Sequence, residues 1–332
     1  ILIMIKPAGY GTGLIKIAKK LSNINVDFLG VAYTDEGIQI RNQKINTPVL
    51  VMNVEKNSIN DLIDHRLTPS IYNFGQLDDF TRALINKNIS SYPIHLKLNT
   101  GMNRLGFNED ELEDLMNYIS SQPEIRISGI FSHLYNSDDQ ANDDITLSQI
   151  KKFKTYSTFI ENRLGYSTLK HILNSSGIEH YNDATFDMVR LGLGVYGISE
   201  KCSLNNVATL ETTISHTRNI LKYENIGYGI NPAQKDTEIA IIPIGYADGF
   251  SRILGNGNGK VLVNGEIVPT IGNICMDMTM IDISGINVKV GDRVELFGEN
   301  LKIQELAKEM NSIPYEVLSS ISERVVRIYI ED

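Results

Sequence analysis

The sequence predicts an α/β protein: a parallel (β/α)8 barrel over residues 1–205, followed by a mostly-β C-terminal domain over residues 206–332. Three observations predict it. Eight short apolar runs alternate with amphipathic stretches as far as about residue 200, the pattern of parallel strands joined by helical crossovers. After about residue 205, short strands are separated instead by Gly and Asn turns. At 332 residues the chain exceeds the usual size of one domain.

The strand candidates of the first part are Ile1–Ile5, Asp27–Ala32, Pro48–Met52, Pro69–Tyr72, Pro93–Leu98, Ile125–Ser132, Leu169–Leu173 and Asp187–Leu191. Leu14, Ile17, Ala18 and Leu21 share one helical face. Asn108 caps a second helix, with Glu111 three residues on as its partner and Leu112, Leu115, Met116 and Ile119 behind it. Gln149–Leu164 is a third. A doubly wound open sheet is the structural alternative, but no dinucleotide-type glycine fingerprint follows the first strand. In the second part the strands are Glu238–Pro243, Lys260–Val263, Met276–Ile283 and Arg293–Phe297, with Asn264-Gly265 as a hairpin turn and one helix at Ile303–Met310.

Composition narrows the function classes. The chain is 42% hydrophobic and 21% charged, ordinary for a globular protein. It carries a net charge of -9, from 31 basic and 40 acidic residues. That balance argues against nucleic-acid binding while allowing a local basic pocket for a small anion. Two cysteines, Cys202 and Cys275, form no disulfide framework and fit a reducing cytosol. No apolar run approaches the roughly 18 residues that span a bilayer, so no membrane contact is expected. The six histidines form no metal-ligand spacing, so no metal is expected. A strand begins at the first residue without an initiator Met, which reads as a chain truncated at its start.

Barrel enzymes place chemistry at the C-terminal ends of their strands. Here Lys6 follows the first strand, Lys97 sits near the end of the fifth, His133 ends the sixth, Asn174 and Ser175 follow the seventh, and Arg190 lies at the end of the eighth. Singly, each has a bland reading, a solvated flank or a core histidine; their convergence on one rim does not. Lys6 stands in Ile-Lys-Pro-Ala-Gly-Tyr-Gly. A partly buried lysine amine can lose its proton and form a Schiff base, and the glycines permit close backbone approach to a ligand. In His95-Leu-Lys97-Leu-Asn-Thr-Gly-Met-Asn-Arg104, the arginine fork can bind an anionic oxygen. Gly-Tyr246-Ala-Asp248-Gly exposes a tyrosine at a turn of the β domain, and Cys275-Met276-Asp277 lies in a second turn.

Together these segments resemble alanine racemase across essentially the whole chain. The matching pieces are Ile5–Gly13, Leu96–Gly106, Gly129–His133, His171–Gly177, Asp187–Gly197, Pro243–Gly249, Gly272–Asp277 and Tyr315–Val317. The texture is closest to the racemase half of muramyl-ligase–alanine-racemase fusions. The resemblance implies a pyridoxal 5'-phosphate (PLP) barrel with a β domain, acting as a homodimer with shared sites on a small amino acid in the cytoplasm. It implies that Lys6 holds the cofactor and serves one face, with Tyr246 as the opposite-face catalytic base. Tyr10, Ser175, Gly192, Leu193 and Tyr315 match phosphate contacts, and Asn174 lies beside them. Arg190 matches the arginine at the pyridine nitrogen, and His133 the histidine linking it to the tyrosine. Arg104 matches the arginine near the phenolic oxygen, and Lys97 a lysine often carbamylated to orient it. Tyr246 and Met276 match positions that come from the partner subunit. The sequence departs from the family at Pro7 and Ala8, and at Asn99 where Asp is common.

Racemisation needs two acid–base groups on opposite sides of a planar intermediate, and lysine and tyrosine supply them. A free tyrosine pKa near 10 is too high for a base at neutral pH, so cationic or hydrogen-bonding neighbours must lower it, with His133 and Arg190 as the neighbours. The implied role is supply of D-alanine for peptidoglycan. Alternatives are a serine or broad-specificity racemase, which an apolar pocket separates only modestly, another barrel-plus-β PLP enzyme such as a decarboxylase, or a PLP-homeostasis protein. The last resembles the barrel alone and lacks a counterpart of Tyr246.

Overall fold

The computed structural model describes residues 1–199 and 201–330. Eight parallel strands form one sheet: β1 (Leu2–Met4), β2 (Phe28–Val31), β3 (Val49–Val51), β4 (Thr68–Ile71), β5 (Tyr92–Lys97), β6 (Ile125–Phe131), β7 (Leu169–His171) and β8 (Arg190–Leu191). Their order is β7-β6-β5-β4-β3-β2-β1-β8. The two end strands are tied by Arg190 N–H donating to Leu173 O at 3.0 Å and by Asp187 and Met188 N–H donating to Lys170 O. The sheet is therefore a nearly closed barrel, as the sequence predicts.

Between the strands run α1 (Leu14–Asn23), α2 (Thr34–Asn42), α3 (Ile59–Asp64), α4 (Phe74–Asn86), α5 (Leu112–Ser120), α6 (Asp143–Leu164) and α7 (Ser175–His180). Alternation along each strand sorts the side chains. Ile3, Leu29, Val31, Val49, Val51, Ile71, Ile94 and Leu96 join Leu14, Ala18, Leu21, Phe80 and Phe153 in the core beneath the helices. Leu2 and Met4 turn the other way and meet Gly30, where a Cβ would lie 2.5 Å from Met4 Sδ. The Asn108–Glu111 capping box forms, with Asn108 N–H donating to Glu111 Oε2 at 2.8 Å, but it heads a 3-10 turn (Glu109–Glu111) that leads into α5. Helix α6 starts at Asp143, six residues before the apolar periodicity. Its first turn is polar, and the carboxylates of Asp143 and Asp144 suit a helix N-terminus.

The second sheet is antiparallel. Its strands are β9 (Leu210–Thr213), β10 (His216–Ile220), β11 (Thr237–Ile242), β12 (Lys260–Val263), β13 (Glu266–Ile271), β14 (Thr279–Asp282) and β15 (Arg293–Phe297), in the order β10-β11-β14-β13-β12-β15-β9. Asn264 and Gly265 turn β12 into β13 with φ of 49° and 84°, the double positive φ of a tight hairpin. The predicted strand Met276–Ile283 begins only at Thr279, because the Cys275 and Met276 carbonyls accept from Tyr246 and Ala247 N–H instead of a ladder. Two helices follow, α8 (Ile303–Glu309) and α9 (Pro314–Ser319). The chain divides into two compact units, one of Ile1–Gly9, Gly13–Val195 and Ser199–Ser203, the other of Tyr10–Thr12, Tyr196–Ile198 and the chain from Leu204 onward. Among the described residues, no helix is long and apolar enough to cross a membrane.

Candidate active site

In the barrel unit, Lys6 leaves β1 into a turn that begins with Gly9 N–H donating to Ile5 O at 2.8 Å. Ala8, Gly9, Tyr10 and Gly11 all have positive φ, from 48° to 73°. Gly9 needs its glycine: a Cβ there would lie 2.8 Å from Ile17 Cγ2. Lys6 is half-buried. Its pKa is lowered, chiefly by burial; Glu36 opposes the shift and Arg104 adds to it. A larger share of the amine is thus neutral near pH 7 than on a solvated lysine.

Lys97 ends β5 and is buried. Burial first, then the charges of Arg104, Arg190 and Lys6, push its pKa down to about 8. Its Nζ stands 5.8 Å from the centre of the Phe131 ring, and the Arg190 guanidinium 5.5 Å from the same ring. Arg104 is exposed in the loop after β5. The rim therefore concentrates four cationic side chains in a chain of net charge -9, a setting that suits an anionic ligand.

Arg190 is buried, and its contacts explain how. Nη2 donates to Ser132 O (2.8 Å), Ile172 O (3.0 Å) and His133 Nδ1 (3.0 Å). Nη1 donates to His171 O (3.1 Å) and His171 Nδ1 (3.0 Å). These acceptors hold the guanidinium flat and fixed, and Nε is the donor they leave over. Burial lowers Arg190 to about 9, still protonated at neutral pH. His133 is held neutral, pushed down to about 3 by burial and then by Arg190, Arg104, Lys97 and Lys6. The sequence-predicted Arg190–His133 pair is thus brought together. His171 and His95 were not singled out as site residues. The signal was present, since His95 and Lys97 lie two apart on one strand and share a face.

After β7, Asn174 caps α7: its Oδ1 accepts from Gly177 N–H at 3.0 Å and from Ser137 Oγ at 2.8 Å. Its amide oxygen is committed to these two donors. Ser175 Oγ accepts from Gly192 N–H at 2.9 Å, which ties the turn after β7 to the one after β8, where Leu193 opens a 3-10 turn (Leu193–Tyr196).

In the second unit, Tyr10 packs on Tyr196 and Tyr315, with ring centres 4.7 and 5.8 Å apart. Arg327 holds the Tyr10–Thr12 segment there by donating from Nε and Nη2 to Gly11 O at 3.1 and 2.9 Å. Tyr246 is 44% exposed and Met276 53%. Their turns are docked together by Tyr246 N–H to Cys275 O and Ala247 N–H to Met276 O, both 3.1 Å. Gly245 permits this, because a Cβ would lie 2.3 Å from Cys275 O. Asp248 Oδ2 accepts from Gly245 N–H at 2.8 Å, and Arg324 bridges Asp248 and Asp277 at 2.6 Å each.

A parallel barrel with a half-buried lysine after its first strand and a locked, protonated arginine on its last, in a chain with an antiparallel β domain, defines a two-unit barrel protein with a cationic rim. Comparison with known proteins narrows the class. The alanine racemase N-terminal domain family matches residues 1–200 and the alanine racemase C-terminal domain family residues 207–329. This chain belongs to the alanine racemase family. It is 36% identical to the alanine racemase of Clostridium tetani, over 100% of this chain and 89% of that one. Among solved structures it superposes with a TM-score of 0.92 on the alanine racemase of Bacillus anthracis with bound L-Ala-P, at 26% identity, covering 100% of this chain and 88% of that one. It superposes with a TM-score of 0.87 on the alanine racemase of Bartonella henselae with covalently bound pyridoxal phosphate, at 29% identity, covering 99% and 92%.

Proposed function

We propose that this chain is a PLP-dependent alanine racemase that interconverts L- and D-alanine with two bases, Lys6 and Tyr246, and that it supplies D-alanine for peptidoglycan in the cytoplasm. The observation that carries the reading is Lys6: half-buried, with a lowered pKa, on the same rim as an Arg190 locked through both Nη atoms. The donor set fits the cofactor. The Lys6 amine, with its lowered pKa, matches its aldehyde, the Arg190 Nε–H its ring nitrogen, and the tied turns of Ser175 and Gly192–Leu193 its phosphate. When bound, PLP supplies an electron sink that acidifies the α-carbon of the amino acid it carries.

The residues then divide the remaining tasks. Arg190 binds the ring nitrogen without giving up its proton, because a guanidinium remains charged. That restraint disfavours side reactions. Lys6 Nζ holds or accepts the α-proton on one face, and Tyr246 Oη on the other. His133 couples Arg190 to the tyrosine. Lys97, as a carbamate formed from its neutral amine and CO2 with loss of one proton, orients Arg104 toward the phenolic oxygen. Tyr246 and Met276 serve the site of a second subunit, which accounts for an exposed tyrosine and an exposed methionine on docked, rigid turns.

The test is proton exchange in Tyr246→Phe, followed by NMR as deuterium uptake from heavy water into L- and D-alanine separately. One enantiomer keeps its exchange through Lys6; the other loses it, and racemisation falls by roughly 10²–10⁴-fold. Equal residual exchange into both enantiomers would demote Tyr246 to a packing residue. kcat/KM for alanine against serine in the wild type decides the substrate, with alanine favoured.

A further inference from the structure

Below the rim, the barrel interior holds two imidazoles to which the proposed reaction assigns no role. Arg190 Nη1 donates to His171 Nδ1 at 3.0 Å, and His171 Nε2 lies 3.1 Å from His95 Nδ1. Both rings are fully buried, and both are held neutral by burial first and the Arg190 charge second. An arginine can only donate. His171 Nδ1 therefore accepts, which puts the His171 proton on Nε2. That N–H donates to His95 Nδ1, which puts the His95 proton on Nε2. Arg190 at one end of the line and the His95 acceptor at the other thus favour the same tautomer of His171, and His171 in turn sets that of His95. The line ends at His95 Nε2–H, which no described protein group accepts.

A second buried group lacks a protein partner nearby. Ser70 Oγ is among the buried side-chain atoms without a hydrogen bond. Ser70 and His95 are register partners on the neighbouring parallel strands β4 and β5, so their side chains leave the sheet on the same side. That side is the barrel interior, because the next residue on each strand, Ile71 and Leu96, packs in the core under the helices. A buried N–H donor and a buried hydroxyl thus sit side by side. Leaving each unsatisfied would carry the full desolvation cost of a buried polar group.

The strands make room for a third party. A register shift between Ile94 and His95, fixed by Ser128 Oγ donating to Ile94 O at 3.0 Å, sets His95 opposite Gly129. A Cβ on Gly129 would lie 2.6 Å from His95 Nε2. Beneath, at the strand N-termini, a depression of about 1210 Å³ is lined by Phe28, Thr68, Pro93 and Ser128, among others. Thr68 and Pro93 precede Ser70 and His95 by two residues, so they are the layer directly below the pair.

We propose that His95 Nε2 and Ser70 Oγ together bind one buried water molecule, and that His95 is a positioning residue whose Nδ1 fixes the tautomer of His171 and thereby the orientation of Arg190. The donor and acceptor pair has the polarity that internal water requires. The consequence for catalysis rests on the function proposed above; the water and the tautomers do not.

The experiment is a high-resolution crystal structure of the wild type and of Ser70→Ala, with 15N-histidine NMR on the wild type, His95→Gln and His95→Phe. One ordered water within hydrogen-bond distance of both atoms is expected, lost in Ser70→Ala. Both rings are expected to carry a single proton on Nε2 from pH 5.5 to 8.5. Gln keeps an acceptor and a donor, so the His171 resonance should hold and kcat should stay within a few-fold of wild type. Phe keeps the volume but not the acceptor, so the His171 proton should shift off Nε2 and kcat should fall at least tenfold. Thermal melting of both variants separates these effects from unfolding. If His95 only fills space, Phe will match or exceed Gln in both readouts, and the positioning role is overturned. Absence of the water, or a proton on Nδ1 of either ring, overturns the rest. A wild type without racemase activity would count against the proposed function alone.

Discussion

Single residues at the rim take their chemistry from their neighbours more than from their type. Lys97 at about 8 and a solvated lysine near 10.5 are the same side chain, separated by burial and three nearby cations. A lysine that is partly neutral at pH 7.5 can take up CO2, and the carbamate would turn a repelled cation into an anion facing Arg104. Replacing Arg104 with Gln removes both the cation that lowers the Lys97 pKa and the partner that stabilises the carbamate. The carbamate signal of 13C-bicarbonate-treated enzyme should therefore fall severalfold in Arg104→Gln and vanish in Lys97→Ala; an unchanged signal in either refutes the assignment. The buried histidines carry a pH signature of their own. His95 and His133 sit near 3 in the fold against about 6.5 unfolded, and His171 is also well below its usual value. The unfolded chain then binds more protons between those values, so stability is full above pH 6.5 and is lost as pH falls toward 3. From pH 7 to 5 the loss should be roughly 1–2 kcal/mol per histidine, read by urea unfolding at the two pH values. His95→Gln should show a shallower decline than wild type, and an identical decline would mean His95 is protonated in the fold. The catalytic residue types at strand ends were legible in the sequence because barrel strands end at the functional face. The His95–His171 line was less so, because which inward residues touch across a barrel depends on shear and on the register shift at Ile94, which no local pattern encodes.

At the scale of elements, the turns carry more information than the strands they join. The eight barrel strands and the hairpin at Asn264-Gly265 could be read from apolar runs and turn residues, because both signals are local. The helices α2, α3 and α4 were not resolved individually, and the start of α6 was placed late, because their first turns are polar and show no apolar stripe. The tyrosine turn was read as Gly-Tyr-Ala-Asp-Gly, yet what fixes it came from outside the motif. Arg324 lies 76 residues beyond Asp248 and bridges it to Asp277, docking the Tyr246 turn to the Met276 turn. Sequence distance hid that bridge. Arg324→Ala should loosen both turns, leaving them joined by the two backbone bonds alone and Asp248 holding only Gly245 N–H. The expected result is a roughly tenfold fall in kcat/KM with the cofactor absorbance unchanged, since Lys6 and Arg190 are untouched. Arg324→Lys should recover only part, because an ammonium lacks the fork that reaches two carboxylates. Wild-type kinetics in Arg324→Ala would show that the turns hold themselves.

At the scale of the whole molecule, the two proposed bases have opposite settings: Lys6 is half-buried in the barrel unit, while Tyr246 belongs to the second unit and is 44% exposed. Met276, Met278 and Ile253 are exposed in the same unit, at 53%, 52% and 47%. Exposed apolar side chains that gather into one contiguous patch mark an interaction surface. A symmetric dimer in which each Tyr246 enters the partner's site would cover them and complete both sites at once. That arrangement makes a numerical prediction. On the proposed mechanism, Lys6→Ala and Tyr246→Phe should each be inactive as homodimers, because every site would lack one base. In a one-to-one mixture that exchanges subunits freely, half the dimers are hybrids. If sites are shared, one site of each hybrid receives both substitutions and the other receives neither. Activity should then recover to about one quarter of wild type, following the two-fold symmetry of the assembly. If each site were built from one chain, every site in the mixture would still lack a base, and activity would stay at the level of the single variants. The measurement is D-alanine racemisation after mixing under conditions where exchange is shown independently, by mass, with differently tagged subunits. Exchange without recovery would place both bases on one chain and leave the exposed Tyr246 surface to a different contact.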